Sequence, residues 1–133
     1  MPKKESTQKA VQEWVGISEY DLRTAEAMLK TRRFLYVAFM CQQAVEKILK
    51  AIYAQKKSEL PSRTHNLLYL VDILEINLHE KNLTLLSQLN QFYFESRYPG
   101  DRLKLAKAVD KGKAQEILKN AKGVWKCLKQ QLQ

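Results

Sequence analysis

The sequence predicts an all-α protein: an up-and-down four-helix bundle with an additional short helix, about five helices in all. Three observations lead there. Apolar residues recur every three or four positions over long stretches, which is the period of one helix face. Only 4 glycines and 3 prolines interrupt the 133 residues, so few turns are available. Leu, Ala, Lys, Gln and Glu, all good helix formers, dominate, and nowhere does the chain alternate like a half-buried strand.

The first helix is expected from about Ser6 to Lys30, with residues 1–6 flexible. Trp14, Ile17, Tyr20 (or Asp21), Ala25, Met28 and Leu29 lie at roughly helical spacing along it. The basic stretch KTRRF connects it to a second helix, Phe34 to Lys57. There Leu35, Ala38, Cys41, Val45, Ile48 and Ile52 form a stripe that Ala44, Leu49 and Ala51 broaden, which predicts a nearly central helix. SELPSRTHN is a loop, because Pro61 stops regular structure, and Thr64 or Asn66 caps the next helix. That third helix is expected over Asn66 to Leu78, and a fourth over Asn82 to Glu95 with Leu85, Leu86, Leu89, Phe92 and Tyr93 inside. Tyr98-Pro99-Gly100-Asp101 ends the fourth helix, since Pro99 biases Tyr98 away from helical backbone. GDRLKLAKAVDKGK then reads as a long connection with room for a helical turn. The last helix runs from Lys113 to Gln131, with Ile117, Leu118, Ala121, Val124, Trp125 and Leu128 on its apolar face.

A chain of 133 residues is expected to form one domain, 1–133, and is long enough to bury a core without staples. Its 45% apolar and 28% charged residues suit a soluble globular protein. The N-terminus carries no apolar signal core, and no apolar run is of membrane-spanning length, so a cytoplasmic protein without membrane contact is expected. Cys41 and Cys127 both fall among apolar helical residues and read as small core residues. The net charge of +9 favours phosphate-bearing or acidic partners, beside the plainer account of a solvated lysine-rich surface.

Several chemistries are excluded by pattern. With two histidines, His65 and His79, and neither Cys-x-x-Cys nor His-Glu-x-x-His spacing, no metal site is expected. Scattered glycines cannot build a phosphate loop, and no cofactor is called for. Lys119, Lys122, Lys126 and Lys129 fall within a stripe roughly 80° wide on the last helix, which makes them the candidate nucleic-acid surface. Glu46 and Lys50, in the favourable i, i+4 order, read as a helix-surface pair. Gln42 and Gln43, one turn earlier in so apolar a helix, need hydrogen-bond partners on a neighbouring helix or subunit. His65, beside a helix start, reads as a capping or packing residue or as a phosphate ligand or base. Tyr93, Phe94 and Tyr98 either pack or stack on a base.

Three ordered segments carry a resemblance. Ala38, Gln42, Gln43, Ala44, Glu46, Lys47, Leu49, Lys50 and Ala51 make an A…QQAxEKxLKA helix. Thr64, His65, Leu67 and Leu70 come next as THxLxxL, and Arg97, Tyr98 and Pro99 close the set. Together, over roughly residues 14 to 130, these segments resemble the HEPN domain family. The resemblance implies a four-helix bundle with an extra short helix, frequently a homodimer, working with a separate minimal nucleotidyltransferase in toxin–antitoxin-type pairs. It further implies, for many members, a metal-independent RNase whose Arg-x(4–6)-His motif is paired across a dimer. This chain departs from that motif: the windows after Arg97 end on Arg102, Leu103 or Lys104, and Arg63 precedes His65 by two residues. The expected function is therefore a module that binds a nucleotide or phosphate ligand, with no confident catalytic residue. Arg97, Tyr98 and Asp101 would line the ligand cleft, with Lys47, Lys50 and His65 beside them. Two alternatives stand. One is an RNase toxin with a displaced site, in which Arg97 and Arg102 stabilise charge and His65 comes from elsewhere in the dimer. The other is an interaction module whose charge complements an acidic partner.

Overall fold

The computed structural model describes residues 7–133 in full and, of residues 2–6, the backbone alone. The expected flexibility of residues 1–6 therefore lies outside the fully described residues. Among the described residues six helices succeed one another: α1 (Pro2–Lys30), α2 (Phe34–Lys57), α3 (Leu67–Ile73), α4 (Glu80–Glu95), α5 (Pro99–Ala108) and α6 (Lys111–Lys129). No strand occurs among the described residues. The all-helical expectation holds, but the count is six rather than about five.

The extra helix is α5, in the segment expected to be a connection. Its origin is local. Tyr98 is extended, Pro99 sits at the first helical position, and Asp101 lies in the first turn. Proline costs nothing there, because that N–H has no intrahelical partner in any case, and an acidic side chain suits the positive end of the helix dipole. Tyr98-Pro-Gly-Asp thus ends α4 and starts α5. Asp110 then caps α6, its carboxylate accepting from the Lys113 amide at 2.8 Å.

The other boundaries have equally local causes. Asn66 caps α3 by accepting from the Tyr69 amide at 3.2 Å, and His79 caps α4, its Nδ1 accepting from the Lys81 amide at 3.1 Å. Helix α3 stops well before the expected Leu78, because Glu75 turns left-handed (φ 54°). There the Ile76 amide reaches back to the Val71 carbonyl, a Schellman closure, and Ile76 is buried beneath it. Helix α1 closes the same way: Arg32 has φ 63° and the Arg33 amide bonds to the Met28 carbonyl at 2.8 Å. The three-residue turn this makes folds α2 back along α1.

Helix α2 is central, as its broad stripe predicts: it packs against α1, α3, α4, α5 and α6. Val37, Ile48, Leu49 and Ile52 are buried, joined by Leu67 and Leu70 of α3, Leu86 and Leu89 of α4, and Ile117 and Leu128 of α6. Each such side chain contributes roughly 1.5–3 kcal/mol on leaving water. Two faces differ from expectation. On α1 Ala25 and Asp21, the alternative to Tyr20, do face inward, but Ser18 and Leu22 join them while Ile17 and Tyr20 are exposed. On α6 Cys127 is exposed, one position past the buried arc, whereas Cys41 is buried and its thiol is pushed up to about 12 by that burial. Neither cysteine is bridged.

Candidate functional site

The centre of the molecule holds charge as well as hydrocarbon. Glu46 is 1% exposed and Gln42 is wholly buried, both on α2. A glutamate so placed needs every oxygen satisfied. Lys50 Nζ lies 3.0 Å from Oε2, while His65 Nδ1 approaches Oε1 at 2.8 Å and Gln42 Nε2 at 3.2 Å. Gln42 Nε2 also donates to the His65 carbonyl at 3.0 Å, which ties the loop before α3 to α2. Gln43 donates to Gln42 and accepts from Lys47, and Lys47 stands 3.9 Å from both Asp21 and Glu46. Glu46 and Lys50 are therefore a buried pair and not the surface pair their spacing suggested.

Electrostatics in this cluster have opposite signs at its two acids. Burial alone would raise the Glu46 carboxyl. The hydrogen bonds from His65 and Lys50 and the charges of Lys50 and Lys47 outweigh it, and hold the group below its ordinary 4.5. Asp21 is raised above 3.8, chiefly by burial, with Lys47 opposing and Glu46 reinforcing. Glu46 is thus ionised at neutral pH and can only accept. Its partner Nδ1 is therefore the donor of that bond, and in the tautomer with a single ring hydrogen the lone pair lies on Nε2.

His65 is also the inner end of an aromatic row. Its ring lies 4.9 Å from that of Tyr93, which stands edge-on to Phe39 at 6.3 Å and to Phe94 at 5.5 Å. Arg97, one helical turn beyond Tyr93, places its guanidinium 5.0 Å from the Tyr93 ring centroid and donates to the Tyr93 hydroxyl at 3.1 Å. Arg97 and His65, 32 positions apart in sequence, thus meet the same ring within one chain. Arg97 is exposed and forms no ion pair with a carboxylate among the described residues.

The remaining candidates divide. Lys47 and Lys50 belong to the buried network with His65. Tyr98 is 65% exposed, and neither its side chain nor that of Asp101 hydrogen-bonds or pairs with the cluster. On α6, Lys122 pairs with Glu26, and Lys129 with Glu19 at 3.3 Å, both acids on α1. Lys119 and Lys126 are exposed without such a partner among the described residues and, with Lys122, line a groove of about 500 Å³. The α1–α6 seam is completed by Trp125, whose Nε1 donates to buried Ser18 at 3.0 Å. Sequence reasoning missed Glu46 as a central acceptor and Tyr93 as the link between His65 and Arg97. The four-residue steps from Gln42 to Glu46 to Lys50 on an otherwise apolar face were the available signal.

No group of His, Cys, Asp or Glu able to hold a metal occurs among the described residues. Nor is any helix among them long and apolar enough to cross a membrane.

Comparison with known proteins places this geometry in a family. No curated protein matches the sequence. Among solved structures, TT1696 from Thermus thermophilus superposes with a TM-score of 0.75 at 20% identity, over 92% of this chain and 98% of that one. ST0689, described as an archaeal HEPN homologue, does so with a TM-score of 0.75 at 23% identity and the same coverages, 92% and 98%. At these identities the likeness is one of fold. The family model for the HEPN domain, however, matches residues 11–131, nearly the whole chain. The chain belongs to the HEPN domain family.

Proposed function

We propose that this HEPN domain binds a nucleotide or other phosphate ligand at the Arg97–Tyr93–His65 cluster. It would do so as a homodimer, beside a separate minimal nucleotidyltransferase subunit, in a toxin–antitoxin-type pair. One observation carries the ligand reading: Arg97 is an exposed guanidinium with no carboxylate partner among the described residues, seated on an aromatic ring. A guanidinium so held meets phosphate oxygens in a fork of parallel hydrogen bonds. Phe94, 40% exposed beside Tyr93, offers a face for a base. Tyr98 and Asp101, both exposed at the start of α5, would close over the ligand from outside. The buried network sets the position of His65 rather than touching ligand, which is the role left to Lys47 and Lys50.

The ligand reading is tested by calorimetric titration with a panel of mono- and trinucleotides and short RNA. Arg97→Ala is expected to abolish binding while the melting temperature stays nearly unchanged; undiminished binding would overturn the assignment. The partner reading is tested by co-expression with the product of the neighbouring reading frame and co-elution on size exclusion.

The placement of His65 and Arg97 on one ring favours a second reading, a metal-independent RNase. Glu46 fixes the imidazole through Nδ1 and leaves Nε2 as acid or base, as a carboxylate does in other catalytic dyads. Arg97 would stabilise charge at phosphorus. Both residues would come from the same chain. On this reading Lys119 and Lys126 track the RNA backbone. Cleavage of a mixed RNA pool in the presence of a chelator, lost in His65→Ala and in Arg97→Ala, is its signature.

A further inference from the structure

A second cavity lies apart from that cluster, between the α1–α2 turn and α5, with a volume of about 510 Å³. Its walls are predominantly apolar: Phe34, Leu35, Leu103 and Val109 form much of them. Its rim is cationic, with Arg32, Arg33 and Arg102. Arg32 lies 5.4 Å from the Phe34 ring centroid and Arg102 lies 5.1 Å from that of Tyr36. None of the three guanidiniums is paired with a carboxylate among the described residues.

We propose that this pocket binds a small amphiphilic anion, an alkyl or aryl body with a carboxylate or phosphate headgroup. The volume lies within the range of roughly 300–1,000 Å³ typical of small-molecule sites. The apolar walls select the body: a purine edge or a ribose would lose water there without gaining hydrogen-bond partners. The arginines select the head, since three unpaired cations around one opening repel each other until an anion is present. A second copy of the chain does not fit. Self-association through this patch would set arginines against arginines in a molecule already at +9. Leu103, 68% exposed at the mouth, is apolar surface that a bound ligand would cover.

The backbone supplies a handle for the test. Arg32 occupies a left-handed position at the end of α1, where glycine costs less. Arg32→Gly is therefore expected to hold or raise the melting temperature while weakening ligand binding, which separates a role in the pocket from a role in folding.

Decanoate and decyl phosphate, below their micelle concentrations, would be titrated into the full chain by calorimetry, with decanol and AMP as controls. One saturating site per chain is expected for at least one anion, and the tighter of the two names the headgroup. Decanol is expected to bind about tenfold more weakly or worse, and AMP not to compete. Arg102→Gln should cost about tenfold in affinity, and Ala106→Trp, which fills the cavity, should abolish binding. Arg97→Ala should leave it unchanged, so failure of the nucleotide site and failure of this one are distinguishable. Any of four results overturns the proposal: no saturable binding of either anion, decanol binding as tightly as the anions, displacement by AMP, or full affinity in Arg102→Gln and Arg32→Gly.

Discussion

At the scale of the residue, Glu46 is the most deeply buried charge among the described residues, 1% exposed and accepting from Gln42, His65 and Lys50. Removing it alone strands Lys50, itself 6% exposed, so Glu46→Met is expected to cost roughly 3–5 kcal/mol in urea unfolding. The double variant Glu46→Met with Lys50→Met should cost less than the single one, because no buried ion is left unpaired. The sign with pH comes from the lowered carboxyl. Its ordinary value, 4.5, holds in the unfolded chain and a lower one in the fold, so its stabilisation is present above 4.5 and is lost as pH falls through the folded value. Asp21, raised above 3.8, acts oppositely: its contribution is present below 3.8 and fades as pH rises through its folded value. Urea midpoints measured from about pH 6 to about pH 3 should therefore fall more steeply in the parent than in Glu46→Gln. The site was legible in part at this scale. His65, Lys47, Lys50 and Arg97 stood out by residue type and by family resemblance. Glu46 did not, because i, i+4 spacing is the same for a surface pair and a buried one. Only the position of His65, nineteen residues on, decides between them. Tyr93 was hidden for a related reason: its spacing with Leu86 and Leu89 fits a core stripe, and its half-buried edge depends on where α2 and the loop before α3 lie.

At the scale of the element, stability is unevenly distributed. Helix α5 buries one residue of its own, Leu105, together with Val109 just beyond it, whereas α2 buries fourteen. The amides of α5 are accordingly expected to exchange with deuterium fastest among the helices, well before those of α2. This weakness is also why α5 was not foreseen: a helix held by a first-position proline and a single core leucine leaves no repeated apolar stripe to read. The strong stripes of α2 and α6 did announce themselves, and the α2 ends at Phe34 and Lys57 fell where expected. The end of α3 was missed because the chain stops its helices without glycine. Arg32, Ser58 and Glu75 all take left-handed backbone, and no glycine has positive φ. Glu75→Gly should thus stabilise the fold by about 0.5–1 kcal/mol, a rise of a few degrees in thermal unfolding.

At the scale of the whole molecule, one central helix carries both the core and the buried polar network, so the fold and the candidate site share a spine. The charge of +9 is not spread evenly in effect. Lys122 and Lys129 are engaged with Glu26 and Glu19 across the α1–α6 seam, and this divides a stripe that looks uniform in sequence. Lys119 and Lys126, together with Arg32, Arg33, Arg97 and Arg102, leave cationic ground without carboxylate partners among the described residues, which suits anionic ligands. The family assignment rests on the sequence match over residues 11–131. The proposed phosphate contact at Arg97, held on Tyr93 beside His65, is tested most directly by titrating nucleotides and short RNA into the parent chain and into Arg97→Ala, with melting temperatures measured in parallel. Saturable binding is predicted in the parent and its loss in Arg97→Ala, with melting temperatures within about a degree or two of one another, as expected for an exposed side chain. Equal binding by both proteins would contradict the assignment.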